Sequence, residues 1–288
     1  MAYTSNKKIV GCSHWQTYSP FPMEIYSFAF VLAGFVVGTI VGLTGVGGGS
    51  LMTPLLIFGF GIKPALAVGT DLLFASGTKF GGLLNFARQR TIPWRVVFSL
   101  SLGSVPAAVV TLAALHHLGT SHPLVQRVIT FTLGIALLLT AAATLYKALK
   151  GRLHPQNSEF EDISAPADQA IHPWMPVVFG AVIGMLVTLT SVGAGAIGVT
   201  VLMLLYPQLP LARIVAADIA YAVPLTLVAG LGHASIGTVD WHLLVLLLCG
   251  SLPGIWIGSH LVTKVPERII RLALSVLLAW AGSKLIFI

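Results

Sequence analysis

The chain has 288 residues, of which 56% are hydrophobic and only 9% are charged. A soluble domain usually carries about 25% charged residues, so 16 Lys and Arg with 9 Asp and Glu cannot cover a soluble protein of this size. The mean hydropathy of +0.91 agrees. The composition therefore excludes a soluble enzyme, a disordered chain and a collagen-like repeat, and it leaves an integral membrane protein.

Long apolar runs such as 128–145 favour membrane-spanning helices over a transmembrane β-barrel, whose strands alternate apolar and polar residues. The net charge of +7 is explained by Lys and Arg at cytoplasmic loop ends, so nucleic-acid binding is not expected. Cys12 and Cys249 form no metal-binding pattern and are not expected to pair. Residues 1–22 lack the apolar core of a cleaved signal peptide, and we expect a polar N-terminal segment there.

The apolar segments fall into two groups of five, separated by a polar linker at 147–172. The first transmembrane unit, 23–146, contains predicted segments at 23–43, 51–61, 65–86, 95–115 and 124–146. The second unit, 173–288, contains predicted segments at 174–190, 195–206, 211–232, 241–262 and 268–287. This pattern predicts an all-α polytopic membrane protein with about eight to ten transmembrane helices.

The two units match each other at residue types that seldom coincide by chance. Glycine-rich and polar positions align at an offset of 146, where Thr44, Gly47 and Gly49 match Thr190, Gly193 and Gly195. After one inserted residue the offset is 147, and Asp71, Trp94 and Pro106 match Asp218, Trp241 and Pro253. We interpret the matches as two homologous five-segment repeats.

The second segment of each repeat is short and follows a glycine-rich break, at 44–50 and 190–195. About 11 residues span roughly 17 Å, or half the hydrocarbon thickness. Paired interrupted segments point to a transporter's binding site, because half-helix N-termini present N–H groups to an anion and glycine permits its close approach. The candidate substrate-binding residues in the breaks are Gly45, Gly47, Gly48, Gly49, Ser50, Ser191, Gly193 and Gly195.

Glycines also allow close helix packing, which is the alternative explanation for the breaks. Gly34, Gly38 and Gly42 have the four-residue spacing of a packing motif, and we predict that role for them. The glycines at 45–49 are more closely spaced, which favours binding.

The membrane topology depends on whether the short segments cross the bilayer or re-enter it. Five crossings per repeat give inverted halves, whereas four give parallel halves. With loop 87–95 in the cytoplasm, inversion places 10 basic residues inside and 5 outside, against 9 and 6 for the parallel arrangement. The positive-inside rule therefore favours inverted repeats.

Two of the nine carboxylates lie inside predicted segments, whereas the others lie at segment ends or in loops. Asp71 and Asp218 each lie about 10 Å along the third segment of their repeat. A mid-bilayer carboxylate costs about 2.5–3.5 kcal/mol. We predict an ion-coupling role for this pair and for Lys79, which lies in the same segment as Asp71. The alternatives are that each Asp caps the neighbouring half-helix and that Lys79 extends to the interface.

Further candidates are weaker. Ser104 and Ser251 each precede a helix-kinking proline by two residues, and they could bind substrate or satisfy the carbonyl group that the proline frees. His116, His117 and His122 cluster in a predicted loop, but their spacing is not typical of a metal site and no metal ligands are predicted.

The run from Gly42 to Gly49, followed by Pro54-Leu55-Leu56, resembles the sulfite exporter TauE/SafE family, as does Ala67-Val68-Gly69-Thr70. The weaker copy at 191–195 fits the duplicated architecture of that family. The resemblance implies a multi-pass transporter of the bacterial inner membrane that moves small sulfur-containing anions such as sulfite or sulfonates.

The leading hypothesis is a secondary transporter that exports a small oxyanion of the sulfite or organosulfonate class, coupled to an ion gradient. We expect no enzymatic activity, no cofactor and no partner besides the anionic substrate and the lipid bilayer, and the sequence does not define an oligomeric state. One alternative is a membrane scaffold or assembly factor. Another is an intramembrane enzyme, whose candidates are Ser50, Asp71 and the histidines near segment ends.

Overall fold

The computed structural model describes residues 23–44, 49–120, 122–150, 174–193, 195–261 and 267–287, and these form ten α-helices without a β-strand. The first five helices are α1 (Met23–Thr44), α2 (Gly49–Phe60), α3 (Pro64–Arg88), α4 (Trp94–Leu118) and α5 (Pro123–Lys150). The second five are α6 (Met175–Thr190), α7 (Ala196–Leu205), α8 (Leu211–Ser235), α9 (Trp241–Leu261) and α10 (Glu267–Ile286). The predicted all-α class is confirmed.

The predicted segments correspond one to one with these helices, but one predicted region lies outside the described residues and another is described only in part. The N-terminal segment 1–22 lies outside the described residues. Of the predicted linker 147–172, residues 147–150 belong to the end of α5 and the rest lie outside the described residues.

Five of the described helices, α4, α5, α8, α9 and α10, are long and apolar enough to cross a membrane. Shorter apolar stretches lie in α1, α2, α6 and α7. Large apolar side chains point away from the protein, such as Phe98, Leu102 and Trp256, which are 70%, 69% and 67% exposed. An exposed apolar belt of this kind suits contact with lipid acyl chains.

Glycines bring two pairs of helices into close contact. On α1, Gly34 and Gly38 lie against the backbone of Leu247 and Ser251 on α9. On α6, Gly180 and Gly184 lie in the same way against α4. The packing role predicted for the four-residue glycine stripe of α1 is therefore confirmed, because side chains larger than hydrogen would separate these backbones.

The order of these contacts gives the relative helix directions. Residue numbers increase together along α1 and α9 and along α4 and α6, so the helices of each pair run parallel. Along α3 and α8 the residue numbers run in opposite directions, because Leu73 of α3 contacts Gly230 of α8 and Gly82 of α3 contacts Ile219 of α8. These two helices are therefore antiparallel. Helices α5 and α10 are also antiparallel, since Gly134 meets Ile286 while Leu138 meets Gly282.

The helix contacts are reciprocal between the two groups of five. In the first half α2 packs on α3, and in the second half α7 packs on α8 in the same way. Between the halves, α3 contacts α9, and the reciprocal pair, α8 and α4, is also in contact. Helix α3 packs on its counterpart α8, and α5 packs on α10. As a result α3 and α8 lie next to each other, with the two short helices packed against them.

We expect Gly38→Ala to destabilise the fold, because the new Cβ would lie 2.7 Å from the Ser251 Cα atom on α9. Overpacking of this kind costs about 1–3 kcal/mol. The control is Gly81→Ala on α3, where a Cβ meets nothing within 4 Å. Thermal unfolding in detergent should show a lower midpoint for Gly38→Ala alone. Equal midpoints for both variants would show that the α1–α9 contact can open without cost.

Candidate functional site

The two glycine-rich breaks meet in the interior. Gly49 is the first residue of α2, and a Cβ there would overlap the carbonyl oxygen of Ser191 and lie 3.1 Å from its Oγ. Only glycine allows this approach of backbone to backbone. The structure thus joins two of the predicted binding residues, one from each half of the sequence. Gly45, Gly47 and Gly48 lie outside the described residues.

The second break is held in an unusual backbone conformation. Ser191 is left-handed, with φ 58° and ψ 2°, and its N–H donates to the Val187 carbonyl at 2.7 Å. Gly193 and Gly195 have φ of 128° and 141°, which side chains rarely permit. The Gly198 N–H in the first turn of α7 donates to the Gly193 carbonyl at 2.8 Å. These contacts end α6 and start α7 within a few residues.

Asp71 connects the first short helix to the second break. It is fully buried on α3, and the Thr53 hydroxyl of α2 donates a hydrogen bond to its Oδ2. The Ser191 side chain lies beside the same carboxyl group. Asp71 Oδ1 and Ser191 Oγ are both buried without a hydrogen-bond partner in the described part of the chain.

Asp218 occupies the corresponding place beside the second short helix. It is buried on α8, and a Cβ at Gly198 would overlap its Oδ1. The same Cβ would lie 2.7 Å from the hydroxyl oxygen of Tyr221, so Gly198 makes room for both side chains. Tyr221 is fully buried, and its Oη lacks a hydrogen-bond partner among the described residues.

Lys79 links the two acids. Its side chain is buried, and its charge interacts with Asp218 and, less strongly, with Asp71. The three residues predicted for ion coupling therefore form one buried electrostatic cluster, with one excess negative charge when all three are ionised. At the matching position of the second half, Thr226 is buried and donates its hydroxyl to the Ala222 carbonyl at 2.8 Å.

The predicted serines Ser104 and Ser251 lie elsewhere. Ser104 packs against Gly184 where α4 meets α6, and Ser251 packs against Gly38 where α9 meets α1. Ser251 donates to the Leu248 carbonyl at 3.3 Å, whereas the carbonyl that Pro253 frees is that of Cys249, so this bond is local but is not the one predicted as the alternative to substrate binding. The described contacts do not bring either serine to the acids, and their predicted substrate role stays a prediction.

The buried histidine His233 supports the second break. Its Nε2 donates to the Thr188 carbonyl at 3.0 Å, three residues before Ser191, and its Nδ1 lies 2.8 Å from the Thr238 hydroxyl. The Thr238 hydroxyl in turn donates to the His233 carbonyl at 3.0 Å. At the matching position of the first half, Phe86 keeps only the backbone part of this arrangement, with Thr91 donating to its carbonyl.

Sequence reasoning missed Thr53 and Tyr221. Tyr221 follows Asp218 by three residues on one helix, a spacing that places both on the same face. Thr53 could have been found from its match to Thr200 at an offset of 147. The described residues contain no group of three or more His, Cys, Asp or Glu that could hold a metal ion.

Comparison with known proteins agrees with these features. The family described as Sulfite exporter TauE/SafE matches residues 30–285. The chain belongs to this family. It is 36% identical over 261 residues to the probable membrane transporter protein YjnA of Bacillus subtilis, covering 90% of this chain and 100% of YjnA. No solved structure matches the chain significantly.

More distant relatives carry similar names. The probable membrane transporter protein YunE of Bacillus subtilis is 24% identical over 268 residues, which are 89% of this chain and 96% of YunE. The probable membrane transporter protein MJ0441 of Methanocaldococcus jannaschii is 24% identical over 273 residues, or 88% and 92% of the two chains. The described spans and TauE/SafE membership together identify a multi-pass membrane transporter.

Proposed function

We propose that this TauE/SafE protein is a secondary transporter that exports a small oxyanion of the sulfite or organosulfonate class across the bacterial inner membrane, coupled to an ion gradient. The observation that carries the proposal is the meeting of the two breaks at Gly49 and Ser191. The buried acid Asp71 lies directly beside this meeting point. A binding site between broken helices of two halves is the arrangement expected for alternating access.

We further propose that the two halves are inverted repeats. Three observations support this. The contacts between helices repeat when each helix is exchanged for the one five places away in chain order. The counterpart helices α3 and α8, and likewise α5 and α10, run antiparallel. The positive-inside count favours the same arrangement. In such a transporter, the halves exchange conformations around a fixed central site.

The chemistry around the breaks suits an oxyanion. The N-termini of α2 and α7 carry the positive ends of helix dipoles, which favour an anion beside them. The Ser191 and Tyr221 hydroxyls are buried without partners among the described residues, so each could donate to a ligand. Buried polar atoms without partners in a native protein usually indicate a water, an ion or a ligand.

A thermal-shift panel on the purified protein tests the proposal, using sulfite, sulfate, thiosulfate, methanesulfonate, acetate and phosphate. An anion at about 100 times its Kd should stabilise the protein by about 2.7 kcal/mol. Anions that stabilise are then tested for uptake into proteoliposomes under imposed pH or sodium gradients. Absence of stabilisation by every oxyanion would contradict the anion site. Unchanged flux and unchanged pH dependence in both Asp71→Asn and Asp218→Asn would contradict ion coupling.

Tyr221→Phe should weaken anion binding while leaving stability close to that of the parent protein. The matching position of the first half is Phe74, which is fully buried, so a phenylalanine suits this environment. A hydrogen bond to a charged group contributes about 1.5–3 kcal/mol, so the Kd should rise roughly tenfold to hundredfold. Titration calorimetry with a bound anion measures the change, with Tyr146→Phe on the exposed face of α5 as the control. An unchanged Kd would exclude Tyr221 from the site.

A further inference from the structure

We propose that Asp71, and not Asp218, binds the coupling ion, and that this ion is a single proton. The inference rests on the proposed coupled transport. It gives unequal roles to two acids that occupy matching positions in the sequence. The difference comes from what surrounds each carboxyl group in the structure.

Asp218 has a fixed positive partner. Lys79 lies eight residues after Asp71, about 12 Å along α3, whereas Gly82, one turn further, contacts Ile219, the residue next to Asp218. Lys79 therefore acts on Asp218 more strongly than on Asp71, and both the lysine and Asp218 are buried. Opposite charges in a low-dielectric interior hold each other in the ionised state. The first turn of α7 also lies against the Asp218 carboxylate at Gly198, where the helix dipole favours negative charge. Asp218 is therefore the permanent counter-charge of Lys79.

Asp71 is left without a full counter-charge. Its carboxyl group is fully buried and contacts hydroxyl groups, those of Thr53 and Ser191. With Lys79 matched to Asp218, an ionised Asp71 leaves one uncompensated negative charge in the interior. One proton on Asp71 removes that charge. A proton on Oδ1 also provides a donor for Ser191 Oγ, which otherwise has no partner in the described residues.

The surroundings of Asp71 suit a proton better than a metal ion. Thr53 already donates its hydroxyl hydrogen to Oδ2. The remaining oxygens there without partners in the described chain are Asp71 Oδ1 and Ser191 Oγ. A hard cation such as Ca²⁺ takes about six to eight oxygen ligands, whereas a proton needs one oxygen to carry it and one to accept its hydrogen bond. Asp71 Oδ1 and Ser191 Oγ supply these two oxygens.

Few other charged groups face Asp71. The described parts of α2 and α6, which pack on α3, contain no titratable side chain. On α8, the titratable groups are Arg213, Asp218, Tyr221 and His233, and on α9 they are His242, Cys249 and His260. Helix α5 carries Arg127 and Tyr146, and Asp240 precedes α9. Of all these groups and Lys79, only Lys79 acts electrostatically on Asp71.

Protonation of Asp71 would control access of an anion to the breaks. An ionised Asp71 beside Ser191 repels an oxyanion approaching Gly49, and a neutral one does not. By thermodynamic linkage, if the anion binds together with one proton, the affinity of the protein for the anion rises by up to about tenfold for each pH unit of acidification. Methanesulfonate is a suitable probe because it stays ionised at every pH used in the titration.

Infrared spectroscopy of the purified full chain in nanodiscs, without anion, tests the assignment directly. A protonated carboxylic acid has a C=O stretching band that an ionised carboxylate lacks. We expect a titrating band that is missing in Asp71→Asn and retained in Lys79→Thr/Asp218→Asn. The double variant removes both members of the ion pair, and Thr is the residue found at the matching position 226.

Three results would overturn the inference. The first is a band that persists in Asp71→Asn but is lost in the double variant, and the second is the absence of any titrating band in the parent protein. The third is a band that is present in a buffer with choline as the cation but disappears when sodium replaces choline. None of these results depends on transport. If no oxyanion binds but the band behaves as expected, the proposed substrate class fails while the proton site stands. If methanesulfonate binds with pH-independent affinity in the parent protein, the linkage fails.

Discussion

Lys79→Met should destabilise the protein by about 3–5 kcal/mol, which is the typical cost of removing one partner from a buried ion pair. Lys79 is 8% exposed and serves two acids, Asp218 and Asp71. Without it, Asp71 loses the one charged group that acts on it in the described chain, and Asp218 loses a buried positive charge. Thermal unfolding in detergent, and the yield of monodisperse protein, measure the loss.

Removal of the opposite charge should restore most of that stability. We expect Lys79→Thr/Asp218→Asn to unfold near the parent midpoint, because replacing both members of a buried pair costs little. The control is Lys284→Met, whose exposed ammonium lies 5.3 Å from the Trp280 ring and should contribute little. If the double variant is no more stable than Lys79→Met, the two charges do not compensate each other.

The sequence predicted the fold well because lipid imposes simple rules. Apolar segments located all ten helices, and the exclusion of charge from lipid identified Asp71, Asp218 and Lys79. These arguments use only the position of a residue along its own helix. They therefore find which residues are unusual, and they carry no information about which of them meet.

The contacts between the halves could not be predicted in this way. Thr53 and Asp71 lie on helices that pack together, and Ser191 reaches the same carboxyl group from the other half of the chain. The match of Thr53 to Thr200 marks its position but not its partner, because a threonine hydroxyl in an apolar segment usually bonds to the preceding turn, as in Thr200. Only the packing of α2 on α3 directs the Thr53 hydroxyl to the carboxylate instead.

The match between the two halves shows Lys79 as an exception, but it conceals two other differences in polarity. Lys79 matches Thr226, Phe74 matches Tyr221, and Phe86 matches His233. The residues of each pair differ in polarity, and an alignment that rewards identity passes over the two pairs with phenylalanine. In the structure these positions surround the acids or support the second break, and they make the site asymmetric. A symmetric scaffold with asymmetric polar groups allows one acid to hold a fixed charge while the other titrates.

Gly49→Ala should abolish transport. The added Cβ would overlap the Ser191 carbonyl oxygen and lie 3.2 Å from the carbonyl carbon, so the two breaks must separate. Movement of a binding group by about 1 Å can reduce a rate by roughly a hundredfold. The matched control is Gly59→Ala near the end of the same helix, where the new Cβ meets only Leu55 Cδ1 at 3.4 Å. Flux into proteoliposomes and the thermal midpoint should be measured for both variants.

The identity of the obstructing atom provides a second, sharper test. Because a main-chain carbonyl meets the new methyl group, shortening the Ser191 side chain cannot relieve the overlap. Gly49→Ala/Ser191→Ala should therefore remain as inactive as Gly49→Ala, whereas Gly59→Ala should keep full flux, since alanine favours a helix by about 1 kcal/mol over glycine. Recovery of flux in the double variant would mean that the Ser191 hydroxyl was the obstacle. Full flux in Gly49→Ala would mean that the breaks need not touch, and the proposed binding site between them would be lost.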